Sequence, residues 1–158
     1  MTGPIVMPPP PVEVLPLPHA RHWGDKILPR YQSPGAAGAD LVSAIETAVP
    51  IDAGERTLVG CGFAMKIPQG WEGQIRPRSG LALKHGITVL NAPGTIDSDY
   101  RGEVKVLLIN HSNAAFVIEP LMRIAQLVFA RVERHELRVV DTLPESDRGS
   151  GGFGSTGT

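Results

Sequence analysis

A chain of 158 residues is long enough to bury one hydrophobic core without disulfides or metal, and too short to divide, so a single domain over 1–158 is expected. Its formal net charge of -1 excludes a nucleic-acid footprint spread over the whole surface and leaves room for small anionic ligands met by a few local cations. One cysteine, Cys61, excludes an intrachain disulfide framework; it suits a reducing compartment and is expected to be a small buried apolar residue rather than a nucleophile. No stretch has the length of a membrane span and the N-terminus lacks the layout of a signal peptide, so the expected address is cytoplasmic. Eighteen glycines and fifteen prolines punctuate short apolar runs, the pattern of many short strands and an all-β fold.

Residues 1–11 form a proline-rich arm, in which the four consecutive prolines Pro8 to Pro11 favour an extended polyproline conformation. Val12 to Leu17 alternates as a first strand. His19 and His22 stand three apart, but no cysteine or acidic cluster follows at a ligand spacing; a metal site is not expected there, and Trp23 should pack locally. Tyr31 to Val42 is a loop of small residues entering a strand. Small side chains permit close backbone approach, and a carboxylate at Asp40 in so crowded a place needs partners, if only to cap a turn.

Val49 to Ile67 carries apolar runs at Thr57 to Val59 and Phe63 to Ile67, separated by Gly60 and Gly62 and ended by Pro68. Trp71 to Pro77 is another strand, which delivers its end to Arg78-Ser79-Gly80-Leu81-Ala82-Leu83-Lys84-His85-Gly86. Ser79 as N-cap and Gly86 as stop bracket the one short helix expected. Capping alone would explain Ser79; a helix start beside the planar fork of Arg78 also suits an anion.

Ile87 to Leu90 leads into a polar stretch and Val104 to Ile109 leads out, which places Asn91 to Glu103 on a hairpin between two strands. Turn chemistry explains Asn91, Pro93 and Gly94 but not Asp97, Asp99 and Tyr100 crowded onto one arm. In a regular strand Asp97 and Asp99 would point one way and Ser98 and Tyr100 the other, so one face would offer a base; a merely solvated acidic turn is the plain alternative. His111-Ser112-Asn113 marks a turn, where His111 is structural, and Phe116 to Ile118 is another strand. In the alternating run Arg123 to Phe129, Gln126 sits among apolar neighbours and must find partners. Arg131 to Val140 is read as completing the strands. The stretch 147–158 has linker composition, yet Phe153 among glycines, flanked by Arg148, Ser155 and Thr156, is good nucleotide chemistry.

Five of these stretches resemble, in order, the signatures of the trimeric dUTPases. They are Ala37-Gly38-Ala39-Asp40-Leu41, Pro77-Arg78-Ser79-Gly80-Leu81-Ala82, Gly94-Thr95-Ile96-Asp97-Ser98-Asp99-Tyr100-Arg101-Gly102, the run from Arg123 to Phe129, and Arg148 to Gly157. One such match would be weak; five in order are specific. The chain departs from the family pattern at a turn, with Leu121 and Met122 where a glycine and an acidic residue are usual.

The resemblance implies a distorted jelly-roll barrel of the β-clip, dUTPase-like kind with one short helix, assembled as a homotrimer. Each site would take the central hairpin from one chain, the first, second and fourth signatures from a second, and the tail, a lid over 147–158, from a third. It implies hydrolysis of dUTP to dUMP and pyrophosphate, limiting uracil incorporation into DNA and supplying dUMP for dTMP synthesis, with no nucleic-acid or membrane partner. Asp97 would be the general base on the attacking water, and Asp99 structural. Substrate would be bound by Arg78, Ser79, Gly80, Asn91, Thr95, Ile96, Tyr100, Lys105, Gln126, Arg148, Phe153, Gly154, Ser155 and Thr156. Tyr100 would lie under the deoxyribose, leaving no room for a 2'-hydroxyl, and Phe153 would cover the uracil. Mg2+ would be held by phosphate oxygens and water, with no direct protein ligand and Asp40 acting through water. Two rivals stand beside this: a dCTP deaminase-type relative, expected to lack such a tail, and a non-catalytic dUTP-binding regulatory protein presenting the proline arm or tail to a partner.

Overall fold

Strand β9 (Glu103–Asn110) carries the central pattern of the molecule, with Val104, Val106 and Leu108 buried at every second position. The structure is a computed structural model that describes residues 8–152; the expectations for Phe153, Gly154, Ser155 and Thr156 lie outside the described residues. Around β9 the chain forms β1 (Glu13–Pro16), β2 (Arg30–Tyr31), β3 (Ala39–Val42), β4 (Val49–Ile51), β5 (Arg56–Lys66), β6 (Trp71–Arg76), α1 (Ser79–His85), β7 (Ile87–Val89), β8 (Gly94–Ile96), β10 (Phe116–Ile118) and β11 (Arg123–Arg131). One sheet runs β1-β5-β9-β7, a second β2-β3-β11-β6-β8, and β4 pairs with β10. Side chains from all three meet in one core that includes Leu41, Ile51, Phe63, Ile96, Val106, Ile118 and Leu127. Each such fully buried aliphatic or aromatic side chain stabilises the fold by about 1.5–3 kcal/mol. The architecture is the expected all-β jelly-roll type with one short α-helix.

The two apolar runs expected between Thr57 and Ile67 are one eleven-residue strand, β5, because the glycines kink it rather than end it. Its register slips between Gly60 and Ala64; the first half pairs with β9 and the second with β1, Ala64 also facing Glu103 of β9. Gly62 sits in the slip at φ 77°, and a β-carbon there would lie 2.5 Å from the Ala20 methyl and 2.8 Å from that of Ala44. The helix begins at Ser79 with Arg78, not Ser79, as N-cap, because the Leu81 and Ala82 amides both donate to the Arg78 carbonyl at 3.1 Å. Gly86 ends it as expected, left-handed at φ 64°.

Three further differences concern context that pattern reading does not carry. Pro18–Ile27 is a 3-10 helical stretch broken at Gly24, whose Ala20 and Ile27 form a small second core with Ala44. In that stretch His19 meets Glu103 at 3.3 Å and His22 meets Glu46 at 3.1 Å. The central hairpin is only half a hairpin: β7 and β9 pair antiparallel as its two arms, but β8 between them crosses to the other sheet and pairs with β6. At Gly73, opposite Ile96 on β6, a β-carbon would sit 3.1 Å from the δ-methyls of both Ile67 and Leu127, so glycine clears space for the core beneath the β6–β8 pair. Finally, Val132 to Val140 forms no strand. β11 ends at Arg131, the Val132 amide makes one more bond, to the Gly70 carbonyl at 3.0 Å, and beyond it Leu137 and Val139 are 94% and 98% exposed.

Candidate active site

β8 ends at Ile96 and the chain turns at once, with the Tyr100 amide donating to the Asp97 carbonyl at 3.2 Å. The strand-like alternation expected of Asp97 to Tyr100 therefore does not exist. The turn does instead what alternation would have forbidden, bringing Asp97 and Tyr100 to the same pocket. That pocket, about 160 Å³, is lined by Ile75, Asn91, Gly94, Thr95, Ile96, Asp97, Tyr100, Val104 and Lys105. Six sequence-predicted site residues thus meet in one cavity: Asn91, Thr95, Ile96, Asp97, Tyr100 and Lys105. Its floor is apolar and its rim polar, the arrangement that fits a flat heterocycle. Arg101 secures the turn, its Nη1 donating to the carbonyls of Ser98 at 2.7 Å and Tyr100 at 2.8 Å.

Asp97 also borders a larger cavity of about 430 Å³ on the far side of the turn, with Trp71, Glu72, Asp99 and Arg134. Three carboxylates against one arginine give that cavity the wrong sign for a polyphosphate.

The cationic half of the site lies farther along the five-stranded sheet. Asp40 on β3, only 12% exposed, accepts from Arg78 Nε at 3.2 Å and from Arg123 Nη1 at 3.1 Å, while Arg78 Nη1 donates to the Arg123 carbonyl. Asp40 is thus an anchor for two guanidinium groups. Arg78 is held at the start of α1, next to the exposed Ser79 and Gly80. Gln126 on β11 is registered opposite Asp40 and Arg76, and its amide donates to the Pro77 carbonyl at 2.9 Å, the partner its position demanded.

Some residues that shape the site were missed by sequence reading. Gly38 was read as one of several small residues; a β-carbon there would fall 2.5 Å from Gln126 Oε1, so it clears the space in which that carboxamide lies. Arg123 was read only as part of a strand. Glu103 carries contacts that nothing near it in sequence signals: its carboxylate receives the Gly62 amide at 3.0 Å, and His19 and Lys105 stand at 3.3 and 3.8 Å. Only the Gly38-Ala39-Asp40 spacing hinted at any of this.

Among the described residues, no side-chain hydrogen bond or ion pair joins the β8 pocket to the Arg78, Ser79 and Gln126 group, and Arg148 touches neither, its Nε donating to the Gly151 carbonyl at 2.9 Å. No group of three His, Cys, Asp or Glu among them is placed to hold a metal ion. Both Asp40 oxygens are occupied by arginines, which fits a divalent cation carried by phosphate oxygens and water. Cys61 is fully buried, and burial first, then the charge of Glu103, pushes its thiol pKa far up; it is inert, as expected.

The family model described as dUTPase matches residues 25–157. The deoxyuridine 5'-triphosphate nucleotidohydrolase of Nautilia profundicola is 61% identical over 133 residues, 84% of this chain and 92% of that one. That of Chlamydia pneumoniae is 58% identical over 131 residues, 82% of this chain and 90% of that one. Among solved structures, the dUTPase of Staphylococcus bacteriophage 80alpha with dUpNHpp superposes with a TM-score of 0.80 at 26% identity, covering 94% of this chain and 99% of that one. A mutant dUTPase of phage phi11 of S. aureus, whose structure concerns a structural Mg(II) ion, shares the fold with a TM-score of 0.73 at 21% identity, covering 86% of this chain and all of that one.

Proposed function

We propose, from the premise that this chain belongs to the dUTPase family and hydrolyses dUTP to dUMP and pyrophosphate, that Asp97 on the rim of the β8 pocket is the general base of that reaction. The base and sugar enter the 160 Å³ pocket. Backbone groups of β8 and the Asn91 side chain meet the uracil edge, while Tyr100 closes under the deoxyribose. A pocket so confined rejects the extra methyl of thymine by overlap. The observation that carries this reading is the meeting of Asp97 with Asn91, Thr95 and Tyr100 in one cavity.

In the reaction, Asp97 takes a proton from a water aligned with the α phosphorus. The water oxygen bonds to phosphorus, the bond to the bridging oxygen breaks, and pyrophosphate leaves. A positioned general base of this kind contributes roughly 10² to 10⁴ in rate. Arg78, Ser79, Gly80 and Gln126 bind the phosphate chain, with Asp40 holding Arg78 in place. Mg2+, the proposed cofactor, supplies neutralisation of the triphosphate charge when bound there.

The pocket and the phosphate-binding group are separate in a single chain, which supports a homotrimer in which one copy supplies the first and another the second. The exposed Leu137, Val139 and Leu143 support a C-terminal segment that leaves its own chain to lie on another copy, carrying Arg148 and the tail to a third site. The cell address proposed is cytoplasmic, and the role is to limit uracil in DNA and supply dUMP.

Pyrophosphate release measured across dUTP, dTTP, dCTP and UTP tests the reading: release from dUTP alone is expected. Ammonia from dCTP with no pyrophosphate from dUTP would establish the deaminase instead, and tight dUTP binding without turnover the regulatory protein.

A further inference from the structure

We infer that Gly102, a residue outside the pocket lining, sets sugar selectivity by deciding where the Tyr100 ring lies; this deepens the reading above and rests on it. Tyr100 does not stand free on the rim. Its hydroxyl donates to the Glu103 carbonyl at 3.0 Å, folding the ring back over the Gly102 backbone. A β-carbon at 102 would lie 2.6 Å from Tyr100 Cζ and 3.0 Å from Cε2, and closer still to the hydroxyl oxygen. To restore an ordinary contact of about 3.4 Å the ring would have to withdraw by roughly 0.8 Å at Cζ and give up the carbonyl.

Gly102 is absent from the positive-φ positions, unlike Gly62 or Gly86, so its φ does not itself ask for glycine. The ring is what excludes an alanine. Nor can the acceptor follow a displaced ring, because Glu103 is fixed at both ends. Its carboxylate is anchored by the Gly62 amide and flanked by His19 and Lys105, and its backbone begins β9 opposite Ala64. On the other side, Arg101 pins the carbonyls of Ser98 and Tyr100. The strain of any side chain at 102 is therefore discharged into the tyrosine alone, and the ring position is the wall that a 2'-hydroxyl would meet.

The test is the ratio of kcat/KM for dUTP to that for UTP in Gly102→Ala, Tyr100→Ala and the double variant, with thermal melting and oligomer mass recorded for each. Gly102→Ala is expected to lower the ratio by about tenfold or more, in the range a shape-based pocket discriminates, chiefly by raising kcat/KM for UTP, with trimer mass unchanged. The double variant is expected to match Tyr100→Ala, because glycine acts only through the ring. If Gly102→Ala melts early, recovery of melting in the double variant identifies the ring clash as the cause and supports the inference. A wild-type ratio in Gly102→Ala, or independent additive effects of the two substitutions, overturns it while leaving Tyr100 at the sugar. An unchanged ratio in Tyr100→Ala removes the tyrosine from the sugar subsite, and the inference falls together with that part of the functional reading.

Discussion

Replacing Asp40 by alanine separates a phosphate-binding arginine from the group that aims it. The carboxylate is 12% exposed and accepts one hydrogen bond from Arg78 and one from Arg123. Charge-assisted bonds contribute roughly 1.5–3 kcal/mol each. The Arg123 side chain is half exposed, so screening and side-chain entropy reduce its share to about 1 kcal/mol or less. The Arg78 side chain is 27% exposed and would keep only the Arg123 carbonyl as partner. A net loss of about 2–4 kcal/mol follows. Activity should fall further than stability implies, since displacement of a positioning group by an ångström can cost about 10² in rate. Thermal melting at fixed protein concentration and kcat/KM for pyrophosphate release from dUTP measure the two effects. Arg123→Ala serves as the control, expected to lose about 1 kcal/mol or less while Arg78 keeps Asp40. A melting temperature and kcat/KM both unchanged in Asp40→Ala would refute the assignment of Asp40 as the anchor.

Gly38→Ala should push the Gln126 carboxamide off the Pro77 carbonyl, losing about 1 kcal/mol for the bond and lowering kcat/KM for dUTP, both read in the same two assays. Removal of residues after Asp147 should leave the number of chains in the oligomer unchanged and reduce hydrolysis about 10²-fold or more, as loss of a closing segment does; full activity in the truncated chain would take the tail out of the mechanism. The Cys61 thiol should resist labelling in the native protein and react only on global unfolding. Because its folded pKa is raised, the protonated thiol stabilises the fold, and that contribution is lost as pH rises above the unfolded value of about 8.5, by up to roughly 1.4 kcal/mol per pH unit. Stabilities of wild type and Cys61→Ala from denaturant titrations between about pH 8.5 and 10.5 should differ in their pH dependence accordingly.

Much of the fold was legible because period-two burial is written directly into stretches such as Glu103 to Asn110, and because Gly86 can be read as a left-handed stop. What escaped depended on partners distant in sequence. Nothing near Gly62 says that two methyl groups from elsewhere will leave no space for a side chain, so one kinked strand read as two. Nothing near Thr95 says that its strand will cross to the other sheet opposite Gln74. The site shows the same division. Asp97 and Tyr100 stand out by chemistry that turn formation does not need and Asn91 by the family likeness, and the pocket joins them. Their shared orientation was not legible, since alternation assumed a strand where a turn exists. Asp40 was recognised as a carboxylate in need of partners, but Arg123 as one of those partners lies 83 residues away.

The most direct measurement is Asp97→Asn, which preserves shape at the rim of the pocket and removes only the proton acceptor. Pyrophosphate release from dUTP is expected to fall by about 10² to 10⁴ while calorimetry still detects dUTP binding to the intact oligomer. Turnover at the wild-type rate in that variant would contradict the assignment of Asp97 as the base.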